Sequence, residues 1–241
     1  MAQNYRIEND TCTFSEGAKL IRRISFKKAF SKIVFPSSLR YICPEALSYS
    51  SIKSVYLPYG LKTIGDGAFR GAELEEVTIP GTVKKIGKGA FDLCKQLKTI
   101  IINRGVKEIG KDAFGDCRVE EIKIPNTVTT IRQSAFYGCR NLKSVELPSS
   151  TVIMPGAFYN TGIEHIYLCD SPSSYQCLVK AFNKGAFSHA TQTSEVLSLV
   201  SGKNVTIYNR ITLHVPKAMV QEYKNNPFFR RFNIVENDNI G

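Results

Sequence analysis

Three glycines surround a small apolar pair in the stretch IGDGAFRGAEL, a composition that could belong to a phosphate-binding loop. Gly65, Gly67 and Gly71 flank Ala68 and Phe69. Glycine-rich loops bind phosphate because their backbone N–H groups can approach the anion closely. However, the same element returns as IGKGAFDLCKQL, IGKDAFGDCRVEEI and IRQSAFYGCRNL, whereas a phosphate loop occurs once per site. The glycines are therefore interpreted as the tight corners of a repeated unit.

Catalytic and metal-binding patterns are not found in the sequence. The three histidines are His165, His189 and His214, and none has the spacing of a metal site or lies near a candidate nucleophile in sequence. The carboxylates are distributed over repeat positions, so repetition explains any pair of them. We therefore predict no catalytic residues, no metal and no cofactor, and expect that the chain is not an enzyme.

Seven cysteines are present, an odd number that cannot pair completely within one chain. Cys94, Cys117 and Cys139 each follow a repeat phenylalanine by three residues, which predicts a column of buried thiols acting as small apolar side chains. A disulfide between neighbouring coils is the alternative, and it requires Cα atoms within about 7 Å. Cys169 and Cys177 flank a short loop and are candidates for a further pair.

Composition and charge are typical of a folded protein of 241 residues, with 43% hydrophobic and 22% charged residues. There is no apolar run long enough to span a membrane, and MAQNYRIEND lacks the apolar stretch of a signal peptide. The net charge of +11 divides into +5 for residues 1–40, +2 for 41–170 and +4 for 171–241. Because the repeating body is nearly neutral, we expect no groove for DNA or RNA. We also expect a monomer.

An Ala-Phe pair marks the register of the repeat. Successive copies, the first of them Ala-Leu, are 22, 22, 23, 22 and 22 residues apart. The copies are Ala46-Leu47, Ala68-Phe69, Ala90-Phe91, Ala113-Phe114, Ala135-Phe136 and Ala157-Phe158. Each is preceded by an alternating segment such as LEEVTIP and by a second extended piece such as VKKIG. A fixed period of this length predicts a solenoid in which each repeat forms one coil.

The predicted fold is α/β and β-rich, a right-handed solenoid of about 22-residue coils that is capped at both ends. We expect about seven full coils and an eighth strand at residues 210–215. The predicted parts are an N-terminal cap (1–29), the solenoid (30–168), an enlarged irregular coil with the last strand (169–215) and a C-terminal helical and aromatic cap (216–241). The C-terminal helix is expected to begin at Pro216, with Val220 and Tyr223 facing inward.

The motif LxxVxIPxxVxxIGxxAFxxC resembles the BspA-like leucine-rich repeats over roughly residues 30–168. The stretch ITLHVPKAMVQEYKNNPFFRRFNIVEN resembles the closing segment of such bacterial proteins. The resemblance implies a secreted or cell-surface protein of bacterial type that takes part in adhesion or host-protein binding. The chain departs from the family pattern between Cys169 and Arg210, where an enlarged coil replaces a regular one.

Stacked coils place equivalent residues side by side, so surface columns can be listed from the repeat. We define the strand face as the two outward columns of the first strand of each coil. One column is Ser54, Glu76, Thr99, Glu121, Ser144 and His165. The other is Tyr56, Thr78, Ile101, Lys123, Glu146 and Tyr167. Aromatic and apolar anchors among polar residues are a common composition for a protein-binding surface. The alternative is that Tyr56, Ile101 and Tyr167 are isolated exposed apolar residues of the kind found on any protein. The predicted partner-binding residues are Tyr56, Thr78, Ile101, Lys123, Glu146, His165 and Tyr167.

Two further columns carry charge. The residues Lys53, Glu75, Lys98, Glu120, Lys143 and Glu164 alternate in sign, which predicts a ladder of salt bridges that fixes the register of the coils. On the second extended piece, like charges stack in what we call the basic column. Its members are Arg40, Lys62, Lys84 and Lys107, with Lys85 beside them. Solvated lysines that are splayed apart explain this column, and the functional alternative is a site for an acidic glycan or another polyanion.

Overall fold

The computed structural model describes residues 5–23, 29–169, 176–188 and 210–237. They form a β-rich solenoid of about 9 turns, with coils about 22 residues apart and few helices. Each regular coil contains a strand of a first series, a strand of a second series and an Ala-Phe turn, and these three parts stack on the same parts of the next coil.

The first series of strands carries the strand face. These strands are β2 (Thr11–Phe14), β4 (Lys32–Val34), β6 (Ser54–Val55), β8 (Glu76–Ile79), β10 (Thr99–Ile102), β12 (Glu121–Lys123), β14 (Ser144–Leu147), β16 (His165–Leu168), β17 (Thr212–Pro216) and β18 (Asn233–Asn237). Strand β1 (Tyr5–Glu8) pairs with β2 in antiparallel orientation, and the other pairings found in this series are parallel. Outward and buried residues alternate along these strands, as in the pattern exposed-buried-exposed-buried of β8.

The second series forms one seven-stranded sheet, in which one or two residues of each strand pair in register with the next coil. Its strands are β3 (Leu20–Ile21), β5 (Tyr41–Ile42), β7 (Thr63–Ile64), β9 (Lys85–Ile86), β11 (Glu108–Ile109), β13 (Thr130–Ile131) and β15 (Val152–Ile153). The helices are α1 (Gln176–Asn183), which contacts β15, and α2 (Val220–Asn225) near the C-terminus.

A ladder of phenylalanine rings fills the third side of the coils. Consecutive ring centroids are 5.2, 5.3, 5.4, 5.1 and 5.0 Å apart, and the interplanar angles do not exceed 16°. The rings belong to Phe69, Phe91, Phe114, Phe136, Phe158 and Phe187. Since Phe187 continues the ladder, Ala186-Phe187 is the next copy of the repeat, which places the enlarged coil in register at this point. These rings are almost completely buried, so they contribute strongly to the stability of the solenoid.

The glycines of the opening motif are used by the fold itself. The N–H groups of Gly65, Gly67 and Gly71 donate to the carbonyls of Ile42, Lys88 and Asp92 in adjacent coils, at 2.8, 2.8 and 2.7 Å. A Cβ atom on Gly65 would lie 2.6 Å from a backbone nitrogen of the preceding coil, which no real side chain permits. These donors are therefore occupied, and the phosphate-loop interpretation is not needed.

The stack of coils begins before residue 30, where the sequence placed its first coil. Strand β2 pairs with β4, and β3 pairs with β5, so the segment that we expected to act as a lid contributes strands to both sheets. In this coil Ser25-Phe26 stands at the sequence position of the Ala-Phe pair, and Ala29-Phe30 is out of register with the repeat, so the pair does not mark the coil. The remaining residues of the expected basic lid, 24–28, lie outside the described residues.

The C-terminal end differs from the prediction in one detail. Pro216 ends β17 in an extended conformation, with φ −52° and ψ 140°, and a 3-10 helix at Lys217–Met219 leads into α2. The fixed φ of proline fits a strand end as well as a helix start, and here the pairing of β17 with β18 decides between them. Tyr223 and Phe229 are buried as expected, and Phe232 packs edge-on against Phe182 of α1 at 4.9 Å.

The ladder predicts a large effect of truncating one of its central rings. Phe114→Ala should lower the free energy of unfolding by about 3–5 kcal/mol, because the cavity lies between two rings that backbone hydrogen bonds hold in place. The exposed Tyr59→Ala serves as the control and should change it by less than about 0.5 kcal/mol. Urea denaturation of both variants measures the difference. If Phe114→Ala lowered the free energy of unfolding by less than about 1 kcal/mol, the ladder would not contribute strongly to stability.

A second prediction concerns the C-terminal cap. Deleting residues 216–241 removes β18 and α2, which leaves the edge of β17 and the apolar end of the last coil open. Open edges and an exposed core promote association, so the truncated chain should aggregate. Size-exclusion chromatography and thermal melting check this outcome. A soluble truncated chain that melts cooperatively would rule out the capping role.

Candidate functional site: the strand face

The structure brings the predicted strand-face columns into register. Paired positions include Ile101 with Thr78, Lys123 with Glu146, and Glu146 with Tyr167. In the other column Ser144 pairs with both Glu121 and His165. Because β-strands send alternate side chains to opposite faces, both columns point away from the core. The predicted partner-binding residues therefore share one surface, while their role in binding remains a prediction.

Apolar side chains occupy the N-terminal half of this surface. Val34, Tyr56 and Ile101 belong to the same column and are 49%, 75% and 50% exposed, and Tyr59, just beyond β6, is 76% exposed. An open groove of about 650 Å³ is lined by Val34, Tyr56 and Tyr59 together with Glu76 and Thr78. Single exposed apolar residues are ordinary, but these four lie within four successive coils, with Thr78 between Tyr56 and Ile101, and together form an apolar patch.

The C-terminal half of the strand face is polar, and Lys123 and Glu146 in it are paired, whereas Glu121 is exposed and forms no ion pair among the described residues. The ammonium group of Lys123 lies 2.7 Å from the carboxylate of Glu146, and this hydrogen bond raises the pKa of Lys123. Lys143 and Glu164 lie 2.5 Å apart. In the described part of the chain, Lys143–Glu164 is the one pair of the alternating column within ion-pair distance, so the expected continuous ladder of salt bridges does not form.

Two histidines meet beside these pairs. His165 on β16 and His214 on β17 are diagonal neighbours, and the Nδ1 atom of His165 lies 3.1 Å from the Nε2 atom of His214. Tyr167 stacks on the ring of His214, with centroids 4.0 Å apart and an interplanar angle of 14°. Burial, followed by the neighbouring His165, lowers the pKa of His214 below its ordinary value of 6.5.

The basic column lies along the second sheet, and its members differ in availability. Lys62, Lys84 and Lys107 are exposed, and the Lys84 Nζ atom donates to the carbonyls of Gly81 and Gly105 at 3.2 and 3.3 Å. The half-buried Arg40 directs its guanidinium to the carbonyls of Ser37 and Leu39, both at 2.9 Å.

Lys85 is engaged in an ion-pair network. Its Nζ atom lies 3.0 Å from Oε1 of Glu108, and the other oxygen of Glu108 accepts from Arg132 at 2.8 Å. The hydrogen bond from Arg132, followed by that from Lys85, lowers the pKa of Glu108 below its ordinary value of 4.5. Lys85 is therefore less available to an anion than its neighbours Lys84 and Lys107.

The cysteine column is internal. The Sγ atoms of Cys94, Cys117 and Cys139 donate to carbonyls of the preceding coil, at 3.1, 3.3 and 3.1 Å. Burial raises the pKa of Cys94 and of Cys139 to about 12, so these thiols stay protonated and unreactive. Cys169 and Cys177 also carry thiols in the structure, so the disulfide that we considered between them is not formed.

Sequence reasoning missed three members of the surface. Val34 and Tyr59 can be seen in the aligned repeats, but they were not among the predicted partner-binding residues. His214 could have been found by aligning Leu213 and Val215 with Ile166 and Leu168, which places it beside Tyr167.

Within the residues that the structure describes, no helix has the length and apolarity needed to cross a membrane.

Comparisons with known proteins agree with this architecture. The family described as BspA type leucine rich repeat region matches residues 4–78 and 62–194, in 6 copies. A leucine-rich repeat protein of known structure from Bacteroides ovatus is 22% identical, with a TM-score of 0.61 over 93% of this chain and 50% of that one. Another from Eubacterium ventriosum is 24% identical, with a TM-score of 0.63 over 79% and 51%. The chain thus spans about half the length of these proteins, and the likeness shows the fold. No curated protein matches the chain.

The Glu108 network gives a pH-dependent prediction. The folded pKa lies below the unfolded one, so the network stabilises the fold above about pH 4.5, and this contribution is lost as the pH falls through the folded pKa. Carboxyl NMR should show Glu108 titrating below 4.5. Arg132→Gln should raise the titration midpoint of Glu108 towards 4.5, because it removes the largest cause of the lowered pKa. Lys62→Gln, the control, should leave this midpoint unchanged. An unshifted pKa of Glu108 in the wild-type protein would show that the ion-pair network with Lys85 and Arg132 does not form.

Proposed function

Because the chain belongs to the BspA-type leucine-rich repeat family, we propose that it is a non-catalytic recognition module that binds a protein through its strand face. Leucine-rich repeat solenoids generally act in protein interactions, and a regular array of coils does not readily supply the cleft that catalysis requires. The proposal here concerns which surface binds and which side chains contribute most.

The apolar patch formed by Val34, Tyr56, Tyr59 and Ile101 is the observation that supports this proposal most directly. The fold does not require these residues, because the polar Thr78 occupies the same column between Tyr56 and Ile101. Burying a large apolar side chain is worth about 1.5–3 kcal/mol. Burial of Tyr56 and Ile101 by a partner would therefore supply a substantial part of a protein–protein affinity.

The polar half of the strand face fits the rim of such an interface. Lys123 and Glu146 neutralise each other, as do Lys143 and Glu164 in the neighbouring column, so the exposed Glu121 leaves this half with a single negative charge. Pairing within the protein also fixes the geometry of the side chains before binding, which lowers the entropic cost of association. We therefore assign affinity to the apolar half and orientation of the partner to Lys123, Glu146, His165 and Tyr167.

Adhesion or host-protein binding outside the cell is the biological setting that we propose. Its support is the resemblance of the repeat motif to BspA-like proteins of the bacterial surface. Binding to host-matrix proteins is the corresponding molecular activity.

Binding of an acidic glycan or other polyanion is the alternative. The exposed and stacked Lys62, Lys84 and Lys107 favour it, since like charges on adjacent coils concentrate positive potential. The pairing of Lys85 with Glu108 and the use of Arg40 by backbone carbonyls reduce the number of available cations. This smaller charge makes the alternative the second choice.

Two sets of variants separate these functions. Tyr56→Ser/Ile101→Ser should weaken binding to an immobilised matrix protein at least about tenfold, with little dependence on salt, because the lost contacts are apolar. Lys62→Glu/Lys84→Glu/Lys107→Glu should leave that binding within about twofold. Tyr41→Ser, on the second sheet, is the matched control for loss of an exposed tyrosine.

Surface plasmon resonance on fibronectin, laminin, collagen, heparin and hyaluronan, at low and high salt, measures these effects. Retention on heparin that is abolished by salt and by the triple charge reversal, without matrix-protein binding, would replace the proposal with the glycan alternative. Undiminished protein binding by Tyr56→Ser/Ile101→Ser would exclude the apolar patch.

A further inference from the structure

His165 and His214 are separated by 49 residues in the sequence, yet their ring nitrogens lie 3.1 Å apart in the structure. The parallel pairing of β16 with β17 aligns His165 with Thr212 and Tyr167 with His214, which makes the two histidines diagonal neighbours on the strand face. Only three histidines occur in the chain, and two of them meet here. Such a juxtaposition has no counterpart in the other coils, where the same positions carry other residues.

The separation of the two nitrogens matches that of two ligands on one metal ion. With metal–nitrogen bonds of about 2.0–2.1 Å, a nitrogen separation of 3.1 Å corresponds to an angle of about 95–100° at the metal. This angle falls between the octahedral and the tetrahedral values. We propose that His165 and His214 together bind one divalent late transition-metal ion, of the Zn²⁺ and Cu²⁺ class, on the strand face.

The surrounding side chains hold both rings in place. Tyr167 stacks against His214 at 4.0 Å and also contacts His165, with ring centroids 6.3 Å apart. Both histidines are half-buried, and β17 is fixed between β16 and β18. A metal ion would therefore meet two donors that already have most of their binding geometry. Preorganised donors bind more tightly, because less side-chain freedom is lost.

The donor set indicates which ions would bind. Imidazole nitrogen suits zinc, copper and nickel, whereas calcium and magnesium prefer oxygen. Glu146 and Glu164 lie nearby in register, but each is paired with a lysine. In the described part of the chain, no group of three or more His, Cys, Asp or Glu side chains could hold a metal ion. The ion would thus keep open positions for water or for a donor atom of a bound partner, as open zinc sites do.

The experiment titrates the full chain with ZnCl₂ by isothermal calorimetry and with CuCl₂ by electron paramagnetic resonance. We expect one ion per chain, and two nitrogen ligands in the copper spectrum. His165→Gln and His214→Gln should each weaken binding at least about tenfold, because one imidazole then acts alone without the advantage of chelation. Glutamine retains hydrogen bonding, and thermal melting confirms that each variant is folded.

Two control variants exclude other donors. His189→Gln removes the third histidine, and Cys169→Ser removes the thiol on the same side of β16, and both should bind metal as the wild-type chain does. Binding should weaken as the pH becomes acidic, because protons compete with the metal for the imidazoles. Absence of Zn²⁺ and Cu²⁺ binding, or equal binding by wild type and both glutamine variants, would overturn the proposal and leave the pair as a hydrogen bond.

Discussion

Stacking of identical apolar groups at one fixed spacing is the constraint on which this protein depends. Phenylalanine rings 5.0–5.4 Å apart run through six coils, and two series of short parallel strands run beside them. Parallel strands require nearly this spacing, so the rings and the backbone hydrogen bonds favour the same rise per coil. The enlarged coil keeps this spacing, with Phe158 and Phe187 5.0 Å apart, so the spacing of the stacked groups is the constraint rather than the length of a coil.

This arrangement leaves the outward columns free to vary. The core requires Ala-Phe, the buried positions of each strand and close backbone packing at Gly65 and its equivalents, but not any particular residue at the position of Tyr56 or Lys123. The strand face therefore has an apolar half and a polar half on one continuous scaffold. In the function that we propose, recognition resides in columns of surface residues rather than in a cleft.

The repeat allowed much of the fold to be predicted from the sequence. Both strand series, the inward Ala-Phe pairs and the register of the strand face all follow from the period. The first coil was missed because Ser25-Phe26 replaces the in-register Ala-Phe pair after β3. Strand β18 was missed because FNIVEN was assigned to an aromatic cap. The sequence also could not show that Glu108 bridges Lys85 and Arg132, since that network depends on side-chain conformations across three coils. The meeting of His165 and His214 required the path of the chain through the enlarged coil.

Hydroxyl-radical footprinting of the tyrosines tests the central claim, that the strand face is the recognition surface. Exposed tyrosines lie on all three sides of the solenoid: Tyr56 and Tyr59 at the strand face, Tyr41 on the second sheet, and Tyr49 and Tyr137 on the side of the Ala-Phe turns. In complex with a bound matrix protein, Tyr56 and Tyr59 should become protected while the other three keep their reactivity. Protection of Tyr41, Tyr49 or Tyr137, with Tyr56 still reactive, would contradict the claim.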